Sequence, residues 1–217
     1  MTDPDSLDAL RLQLAPAIAD AAAFDGWSDL AVATAADFEG VDPALAAYAF
    51  SGGPMAMISA WIAACDAAMA AQWPAERLAQ LKVRERIRTL VQFRLDYVTP
   101  QQEALARALA IMAMPQNVPA ALKLGWRSAD LMWRLAGDTA TDYNYYTKRT
   151  ILASIHAATL AVLAQDRSDG RADTRAFLDR RIDGVMRFEQ VKARLVNRNL
   201  DRFSPARFLG RLRYPAR

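Results

Sequence analysis

Apolar side chains recur every three or four positions along most of this chain, and that spacing limits the fold more than any other feature of the sequence. In the first segment Leu7, Leu10, Leu14 and Ile18 share one helical face. Alanine is abundant, whereas Val, Ile and Thr are sparse, and this composition favours helix over strand. We find no strand-like alternation, internal repeat or low-complexity linker in the sequence. It therefore predicts an all-α fold with about nine to ten helices.

Capping residues, prolines and glycines set the predicted helix bounds. Asp42 followed by Pro43 is a typical helix start, and Pro74 is expected to open one long helix that presents Arg84, Arg86 and Arg88 to water. The predicted helices cover 6–24, 28–38, 42 to about 50, 54–72, 74–98, 100–114, 119–135, 142–165 and 173–198, with a short last helix after Ser204.

The same periodicity predicts which side chains point inward in three of these helices. In helix 54–72 the predicted core residues are Met57, Trp61 and Cys65. In helix 74–98 they are Ile87, Leu90, Val91 and Val98. In helix 142–165 the predicted buried stripe is Ile151, Ile155, Ala158 and Val162, and a different face carries Tyr145, Arg149, Leu152 and His156.

Length and cysteine use restrict the class of protein further. A chain of 217 residues can form one domain with a substantial core. The single cysteine excludes an internal disulfide and fits a reducing compartment. We see no apolar run near the roughly 18–20 residues that span a bilayer, and the acidic N-terminus lacks the features of a leader peptide. These features predict a protein that stays in the cytosol.

Charge is distributed unevenly, although the net charge is only +3. Residues 1–75 contain ten acidic side chains and a single basic one, Arg11, so most of the cations follow later in the chain. Three short helices, the third ending in Tyr-x-Phe (48–50), followed by a longer helix resemble the layout of the TetR family. In that family the third helix enters the DNA major groove.

The third helix of this chain, "DPALAAYAF", contains no Lys or Arg. Binding to DNA rests on cations that neutralise phosphates, so an acidic head is expected to be repelled. We therefore predict a TetR-like bundle with a vestigial helix-turn-helix head at 1–53 and no nucleic-acid partner. The alternative is a TetR-like, ligand-responsive transcriptional regulator, which gel shifts at low salt would reveal.

A motif in the second half is more specific. Residues 132–149, "MWRLAGDTATDYNYYTKR", together with "MPQNVP" at 114–119 and "FLDRRIDGVM" at 177–186, resemble the coenzyme Q protein nine (Coq-nine) family of ubiquinone biosynthesis. The resemblance implies a TetR-like fold without DNA binding, a pocket for an isoprenoid quinone-type lipid, and homodimerisation. It also implies docking to the demethoxyubiquinone hydroxylase, a di-iron enzyme.

Carried over residue by residue, the resemblance implies a partner-docking patch where the loop at Gly137 meets the following helix. Aromatic residues and arginine are enriched at interface centres, which agrees with this interpretation. Packing of the tyrosines on neighbouring helices is the alternative. The implied patch residues are Asp130, Met132, Asp142, Tyr145, Tyr146 and Arg149.

Methionine and tryptophan are dense for a chain of this size, and flexible thioethers suit adaptable apolar cavities. With the family resemblance, this density predicts an inter-helical lipid pocket within a lipid-binding and dimerisation domain at 54–198. An ordinary helical core is the alternative for each residue alone. The predicted lining residues are Met57, Trp61, Met69, Met112, Met114, Trp126 and Trp133.

The last residues, 199–217, interleave arginines with aromatic and aliphatic side chains. Basic residues attract anionic lipid at about 1 kcal/mol each, and Phe and Leu insert at the headgroup boundary. We predict a tail that binds the surface of a bacterial inner membrane. An unstructured basic end or a phosphate-binding arm is the alternative. The predicted membrane residues are Arg207, Phe208, Leu209, Arg211, Leu212 and Arg213.

Catalytic groups are missing from the sequence patterns. His156 is the only histidine, so the paired Glu-x-x-His motifs of a helical di-iron site cannot form. A lone histidine on a helix is expected to be packed or to face a second copy of the chain. There is no Gly-rich phosphate loop and no nucleophile with an evident base. We predict a protein that is not an enzyme and has no metal or cofactor besides its lipid.

Overall fold

The structure, a computed structural model, describes residues 7–139 and 143–184. Every regular element in those ranges is helical, which confirms the predicted all-α class. Two single 3₁₀ turns, Thr99–Gln101 and Asp169–Arg171, accompany the helices, and helical backbone continues over 172–184. The helices are α1 (Leu7–Asp25), α2 (Asp29–Glu39), α3 (Pro43–Ala49), α4 (Pro54–Gln72), α5 (Ala75–Leu78), α6 (Val83–Val98), α7 (Gln102–Met112), α8 (Val118–Leu135) and α9 (Tyr143–Leu163).

Local capping defines the ends of the three short N-terminal helices. The Ser28 hydroxyl accepts a hydrogen bond from the Ala31 N–H at 3.4 Å at the start of α2. Gly40 ends that helix in the left-handed conformation, with φ 66°. The Asp42 carboxylate accepts from the Ala44 N–H at 2.9 Å, and Pro43 follows it as the first helical residue. The predicted start of α3 is therefore confirmed.

Helix α4 is the centre of the bundle. It packs against α1, α6, α7 and α8, and it buries Met57, Trp61, Cys65 and Met69. By length and mean hydropathy (1.4) it is the one helix in the described ranges that meets the criterion for a membrane span. The prediction that no segment approaches that limit is therefore wrong on length and composition. Its burial among four helices is that of a core helix.

The chain between Pro74 and Val98 differs from the prediction of one continuous helix. A turn separates α5 from α6, and the Arg86 guanidinium binds its carbonyls, donating from Nε to Leu81 at 2.8 Å and from Nη2 to Ala79 at 3.0 Å. Arg86 therefore faces this turn instead of water, whereas Arg84 and Arg88 are exposed as predicted. The predicted inner stripe of this helix is buried: Ile87, Leu90, Val91 and Val98.

In α9 the predicted buried face is wrong. The predicted stripe is only partly buried, whereas the fully buried face includes polar side chains that hydrophobicity assigns to water. These polar groups are tolerated inside because other helices supply their partners, as described below. The partly buried residues are Ile151, Ile155, Ala158 and Val162. The buried residues are Arg149, Leu152, His156, Thr159 and Leu163.

The chain divides into two compact units, residues 1–175 and 176–217. Helices α1 to α9 belong to the first unit, in which α1 packs against α4 and α7 as well as α2 and α3. The head therefore shares a core with the following helices. The predicted division at residues 53 and 54 stays a prediction. In the second unit the Arg181 guanidinium lies 4.8 Å from the Phe177 ring centroid.

Candidate functional site

An apolar groove of about 310 Å³ opens between α7, α8 and α9. Leu122, which is 70% exposed, and Val118, 37% exposed, stand at its rim on the first turns of α8. Small side chains such as Gly125, Ala153 and Ala157 leave the space open. The volume falls in the usual range of small-molecule pockets. The remaining lining residues are Ile62, Arg94, Leu109, Met112, Ala113, Ala121, Leu124, Ser128, His156 and Leu160.

The inner end of the groove is polar, and we call this cluster of Asp66, Arg94, Ser128 and His156 the floor. Arg94 is buried and forms an ion pair with Asp66. Its Nε donates to His156 Nε2 at 3.3 Å, and the Ser128 hydroxyl donates to the Asp66 carboxylate at 3.0 Å. Four helices thus each contribute one polar group to a cluster that faces an otherwise apolar groove.

The histidine of the floor is uncharged. Burial, and next the positive charge of Arg94, hold the pKa of His156 well below its usual range. Because Nε2 accepts a hydrogen bond from Arg94, the ring proton resides on Nδ1. With Arg94 and Asp66 compensating one another, the floor carries no net charge.

A smaller enclosed space of about 40 Å³ adjoins the groove, sharing Ile62, Arg94, Met112, His156 and Leu160 as walls. Cys65 lines it, and burial, opposed by Arg94 and reinforced by Asp66, raises the pKa of this thiol to about 11. The thiol is therefore protonated and unreactive at neutral pH. This agrees with the prediction of a core cysteine.

The structure separates the residues predicted to line a lipid pocket. Trp61 and Met112 line the small enclosed space, and Met112 also lines the groove. Met57 and Met69 are fully buried in the packing of α4 and line neither space. The other three lie elsewhere. Met114 is exposed in the turn before α8, and Trp126 and Trp133 are residues of α8 that contact the first turns of α9.

Trp126, Tyr145 and Tyr146 form a cluster of rings that we call the aromatic surface. The two tyrosine rings meet edge to face at 5.1 Å between centroids, and Trp126 lies 6.1 Å from Tyr146 and 6.3 Å from Tyr145. Tyr146 is 60% exposed, whereas Tyr145 is half-buried. The packed rings present an apolar surface to solvent, mainly through Tyr146.

Beneath this surface lies a set of ion pairs, the loop network, formed by Asp130, Asp138, Lys148 and Arg149. Arg149 is only 1% exposed, and it bonds Asp130 at 2.6 Å and Asp138 at 3.0 Å. Lys148 bonds the second oxygen of Asp138 at 2.7 Å. The Arg149 guanidinium also lies 3.5 Å from the Tyr145 ring centroid, which couples the network to the aromatic surface.

The network holds its groups ionised. Burial by itself raises the pKa of Asp130, but the hydrogen bond from Arg149 and the charge of Arg134 bring it below its usual value. Burial also raises the pKa of Asp138, but Lys148 and Arg149 together bring it below its usual value. The two carboxylates in turn outweigh burial and raise the pKa of Arg149. The buried charge is therefore compensated at neutral pH.

The first residues after α8 are held by contacts with Arg86. Gly137 has φ 85°, which favours glycine, and the Arg86 Nη1 atom would lie 3.2 Å from an added Cβ. That same atom donates to the Ala136 carbonyl at 2.8 Å, and the Trp133 indole donates to the Lys148 carbonyl at 3.1 Å. These contacts hold the end of α8 against the start of α9.

Of the residues implied to dock a partner, Asp130, Tyr145 and Arg149 contact one another, and Tyr146 packs on Tyr145. The described residues of this set occupy different depths. Met132 and Arg149 are buried, Asp130 and Tyr145 are partly buried, and only Tyr146 is strongly exposed. Arg149 supports the surface from beneath in this conformation. Two groups of predicted residues lie outside the described ranges: Asp142, and the membrane set Arg207, Phe208, Leu209, Arg211, Leu212 and Arg213.

Sequence reasoning missed most of the floor. Arg94 falls within the apolar period of α6, and Asp66 is the one charged residue of α4. Opposite charges that interrupt two apolar stripes indicate a buried ion pair, and this signal was available in the sequence. His156 was correctly expected to be packed, but its contact with Arg94 depends on tertiary structure. Ser128 and Leu122 carry no distinguishing sequence signal.

The fold and the site define a class of protein: a helical bundle with an apolar groove that ends at a polar floor without net charge, next to a partly exposed aromatic surface. Among the described residues no group of three or more His, Cys, Asp or Glu side chains is placed to hold a metal ion. The family model described as COQ9 matches residues 118–189, which include all of α8 and α9.

Curated relatives extend this match over most of the chain. It is 36% identical over 179 residues to the ubiquinone biosynthesis protein COQ9, mitochondrial, of Rattus norvegicus, covering 77% of this chain and 57% of the relative. With the Homo sapiens protein of the same description it is 32% identical over 202 residues, covering 88% and 63%. The chain belongs to the COQ9 family of ubiquinone biosynthesis proteins, which confirms the resemblance found in the sequence motif.

The chain spans only 57% to 63% of the length of the rat, human and Bos taurus relatives. These relatives are mitochondrial proteins of eukaryotes, so the prediction of a cytoplasmic protein at a bacterial inner membrane is contradicted. That prediction relied on the absence of leader features at the N-terminus, which is a weak criterion.

Proposed function

We propose that this protein is a non-enzymatic accessory factor of ubiquinone biosynthesis that binds an isoprenoid quinone-type lipid and presents it to the demethoxyubiquinone hydroxylase. The observation that carries the proposal is the open apolar groove of about 310 Å³ between α7, α8 and α9. Moving an isoprenoid intermediate out of a bilayer exposes apolar area to water, and an apolar groove offsets this free-energy cost.

The rim of the groove supports entry of a lipid. Leu122 and Val118 expose apolar surface at its mouth, beside the exposed Met114 of the preceding turn. Apolar side chains that remain exposed at the edge of a pocket are typical of ligand-binding grooves. The first turns of α8 are thus the proposed entrance.

The lipid content of purified protein tests this assignment. Leu122→Asp places a charge at the rim and is expected to remove most of the co-purified isoprenoid lipid, measured by mass spectrometry of solvent extracts. Leu30→Asp is the matched control, because Leu30 is 61% exposed on α2 and lies outside the groove. Equal lipid content in the two variants, or a wild-type protein that binds no isoprenoid lipid, would refute the proposal.

The aromatic surface is the proposed docking site for the hydroxylase. Exposed Tyr146 offers a large, rigid contact, and the loop network beneath it reduces the entropy lost on binding. Asp130 and Arg134 add charges at its margin, paired at 3.2 Å. This arrangement suits a protein partner with an apolar patch and polar surroundings.

A single substitution tests the docking proposal. Tyr146→Ala is expected to weaken hydroxylase capture at least tenfold, since truncating a central tyrosine commonly costs about 2 kcal/mol or more of binding free energy. The melting temperature should hardly change because the ring is mostly exposed. Tyr48→Ala, which removes a 66% exposed tyrosine from α3, is the matched control and should bind normally. Normal capture of the hydroxylase by the Tyr146→Ala variant would contradict the docking proposal.

Two further parts of the proposal rest on sequence alone. The basic tail at 199–217 is proposed to bind anionic lipid surfaces. In a flotation assay the full chain should rise with vesicles of acidic lipid, and a chain without the tail should stay in the bottom fraction. Homodimerisation stays a prediction from the family resemblance. Sedimentation analysis would measure it, and a monomer at all concentrations would contradict it.

A further inference from the structure

The floor of the groove has hydrogen-bonding capacity that the described part of the chain does not use. Arg94 gives its Nε hydrogen to His156 and an Nη1 hydrogen to Asp66, and Ser128 also donates to Asp66. The Asp66 carboxylate is therefore engaged from both sides. No acceptor among the described residues receives a hydrogen bond from His156 Nδ1 or from Arg94 Nη2. Both side chains line the groove.

These spare donors lie in an environment without net charge. Arg94 is compensated by Asp66, and the imidazole of His156 is neutral. An anionic head group placed here would meet the nearby Asp66 carboxylate and would lose its hydration in an apolar groove, which is costly for an ion that gains no new counter-charge. A neutral oxygen acceptor meets neither obstacle and satisfies the donors.

The two spaces also limit how far a ligand can enter. The groove of about 310 Å³ has room for a ring and part of a chain. The enclosed space of about 40 Å³ behind His156 and Arg94 holds one or two waters, or a methyl-sized substituent, but no ring. A ring-headed amphiphile that enters from the Leu122 rim would therefore stop with its head against the floor.

We propose that the floor is a head-group subsite, in which His156 and Arg94 donate hydrogen bonds to an uncharged, oxygen-bearing ring such as a quinone or methoxyphenol, with the isoprenoid chain running toward Leu122. The subsite selects neutral ring heads over phosphate or carboxylate heads. This inference rests on the proposed lipid-binding function and adds the orientation of the ligand and the residues that recognise its head group.

Three probes with the same decyl chain separate head-group recognition from chain burial. Decylubiquinone has a neutral ring with oxygen acceptors, n-decylbenzene has a ring without them, and decyl phosphate has an anionic head. Binding is measured by isothermal titration to the full chain. The wild-type protein should bind decylubiquinone at least tenfold more tightly than either other probe.

His156→Leu keeps an apolar side chain of similar reach and removes the donor. It is expected to raise the dissociation constant of decylubiquinone about fivefold, which corresponds to the loss of one neutral hydrogen bond. The affinity for n-decylbenzene should stay unchanged or increase. Ser128→Ala is a second variant for the case in which His156→Leu fails to fold. It releases a hydrogen bond to Asp66 and is expected to weaken decylubiquinone less, since Ser128 does not itself supply the spare donors. Leu122→Ala is the control, expected to weaken all three probes alike.

The ratio of the decylubiquinone and n-decylbenzene dissociation constants is the deciding quantity, because a partly unfolded fraction cancels from it. A ratio that rises in His156→Leu but not in Leu122→Ala supports the subsite. An unchanged ratio, or preferred binding of decyl phosphate, overturns it while leaving lipid binding intact. Failure of all three probes to bind wild-type protein instead overturns the proposed function.

Discussion

The floor of the groove and the loop network are both built around a buried arginine, but the two arginines differ in their partners. Arg149 bonds two carboxylates, donates to the Tyr145 carbonyl at 3.2 Å, and lies against an aromatic ring. Arg94 has one carboxylate and a neutral histidine. Lys148 further supports the loop network, whereas no second cation joins the floor in the described part of the chain.

The difference indicates two roles for a buried arginine, a group whose desolvation costs free energy. A buried arginine with saturated partners fixes geometry, as Arg149 does beneath the exposed Tyr146 ring. A buried arginine with spare donors, directed into a groove, is available to a ligand. The loop network is therefore expected to contribute to the shape of the aromatic surface, and the floor to ligand recognition.

The largest expected effect is the loss of the Arg149 charge. Arg149→Met removes the buried cation shared by Asp130 and Asp138 and leaves them only the more exposed Arg134 and Lys148 as partners. Breaking a buried pair in this way costs about 3–5 kcal/mol of unfolding free energy. Urea unfolding monitored by circular dichroism measures it. The control is Arg134→Met, since Arg134 is 65% exposed and its ion pair with Asp130 should contribute less than about 1 kcal/mol. Equal losses in the two variants would remove the distinction between saturated and surface pairs.

Removing the arginine of the floor should reduce the free energy of unfolding by less. Arg94→Met orphans a single carboxylate, Asp66, which still accepts from Ser128 and has 18% of its side chain exposed. We expect a loss near the lower end of the same range, about 3 kcal/mol. A loss clearly larger than that of Arg149→Met, in the same urea titration, would reverse the comparison between the two regions.

The backbone of the loop should be the next most sensitive feature. Gly137→Ala adds a Cβ to a residue with φ 85° and brings it close to Arg86, so we expect a loss of about 1–2 kcal/mol. Gly125→Ala in α8 is the contrasting change, because nothing lies near its added Cβ and its backbone is helical. That variant should be neutral or slightly stabilising in thermal unfolding. Destabilisation of both to the same degree would argue against a fixed loop.

The smallest effect expected is a pH dependence that arises in the floor. In the folded chain burial and Arg94 from α6 depress the pKa of His156, while the unfolded chain titrates near about 6.5. Below that pH the unfolded state binds a proton that the folded state refuses, so stability falls as pH falls, by at most about 1.4 kcal/mol per pH unit. Urea titrations between pH 7.5 and 5.5 should show this slope.

The slope should vanish in His156→Leu, since the chain has no other histidine. Among the described residues, the charged group bonded to His156 is Arg94 of α6, which is paired with Asp66 of α4. Asp130 and Asp138 behave differently: their pKa values are lowered on folding, so their contribution persists above about pH 4 and is lost only in more acidic solution. An unchanged slope in His156→Leu would contradict a neutral, buried imidazole.

Local sequence signals predicted much of the fold. Helix α4 begins and ends where Pro54 and the following apolar run indicated, and α3 starts at the Asp42-Pro43 cap. These bounds depend on neighbouring residues only, so a single sequence contains them. The family motif also contains two residues of the aromatic surface, Tyr145 and Tyr146, whereas Trp126 lies outside 132–149 and was predicted to line the lipid pocket.

Contacts between distant helices could not be predicted in this way. Periodicity placed Ile151 inside and Arg149 outside, yet Arg149 is buried because Asp130 and Asp138 neutralise it. The same applies to His156, whose partner Arg94 is 62 residues away. Hydrophobicity alone therefore assigns the wrong face wherever long-range charge pairs replace apolar packing.

The attachment site of a photoreactive isoprenoid quinone tests most directly whether the groove and the aromatic surface have separate roles. After irradiation of the full chain, peptide mass spectrometry identifies the labelled residues. Our account predicts label on groove residues such as Met112, Leu122 and Ala157, with little on Trp126 or Tyr146. Label concentrated on the aromatic surface, or spread over α2 and α3, would contradict it.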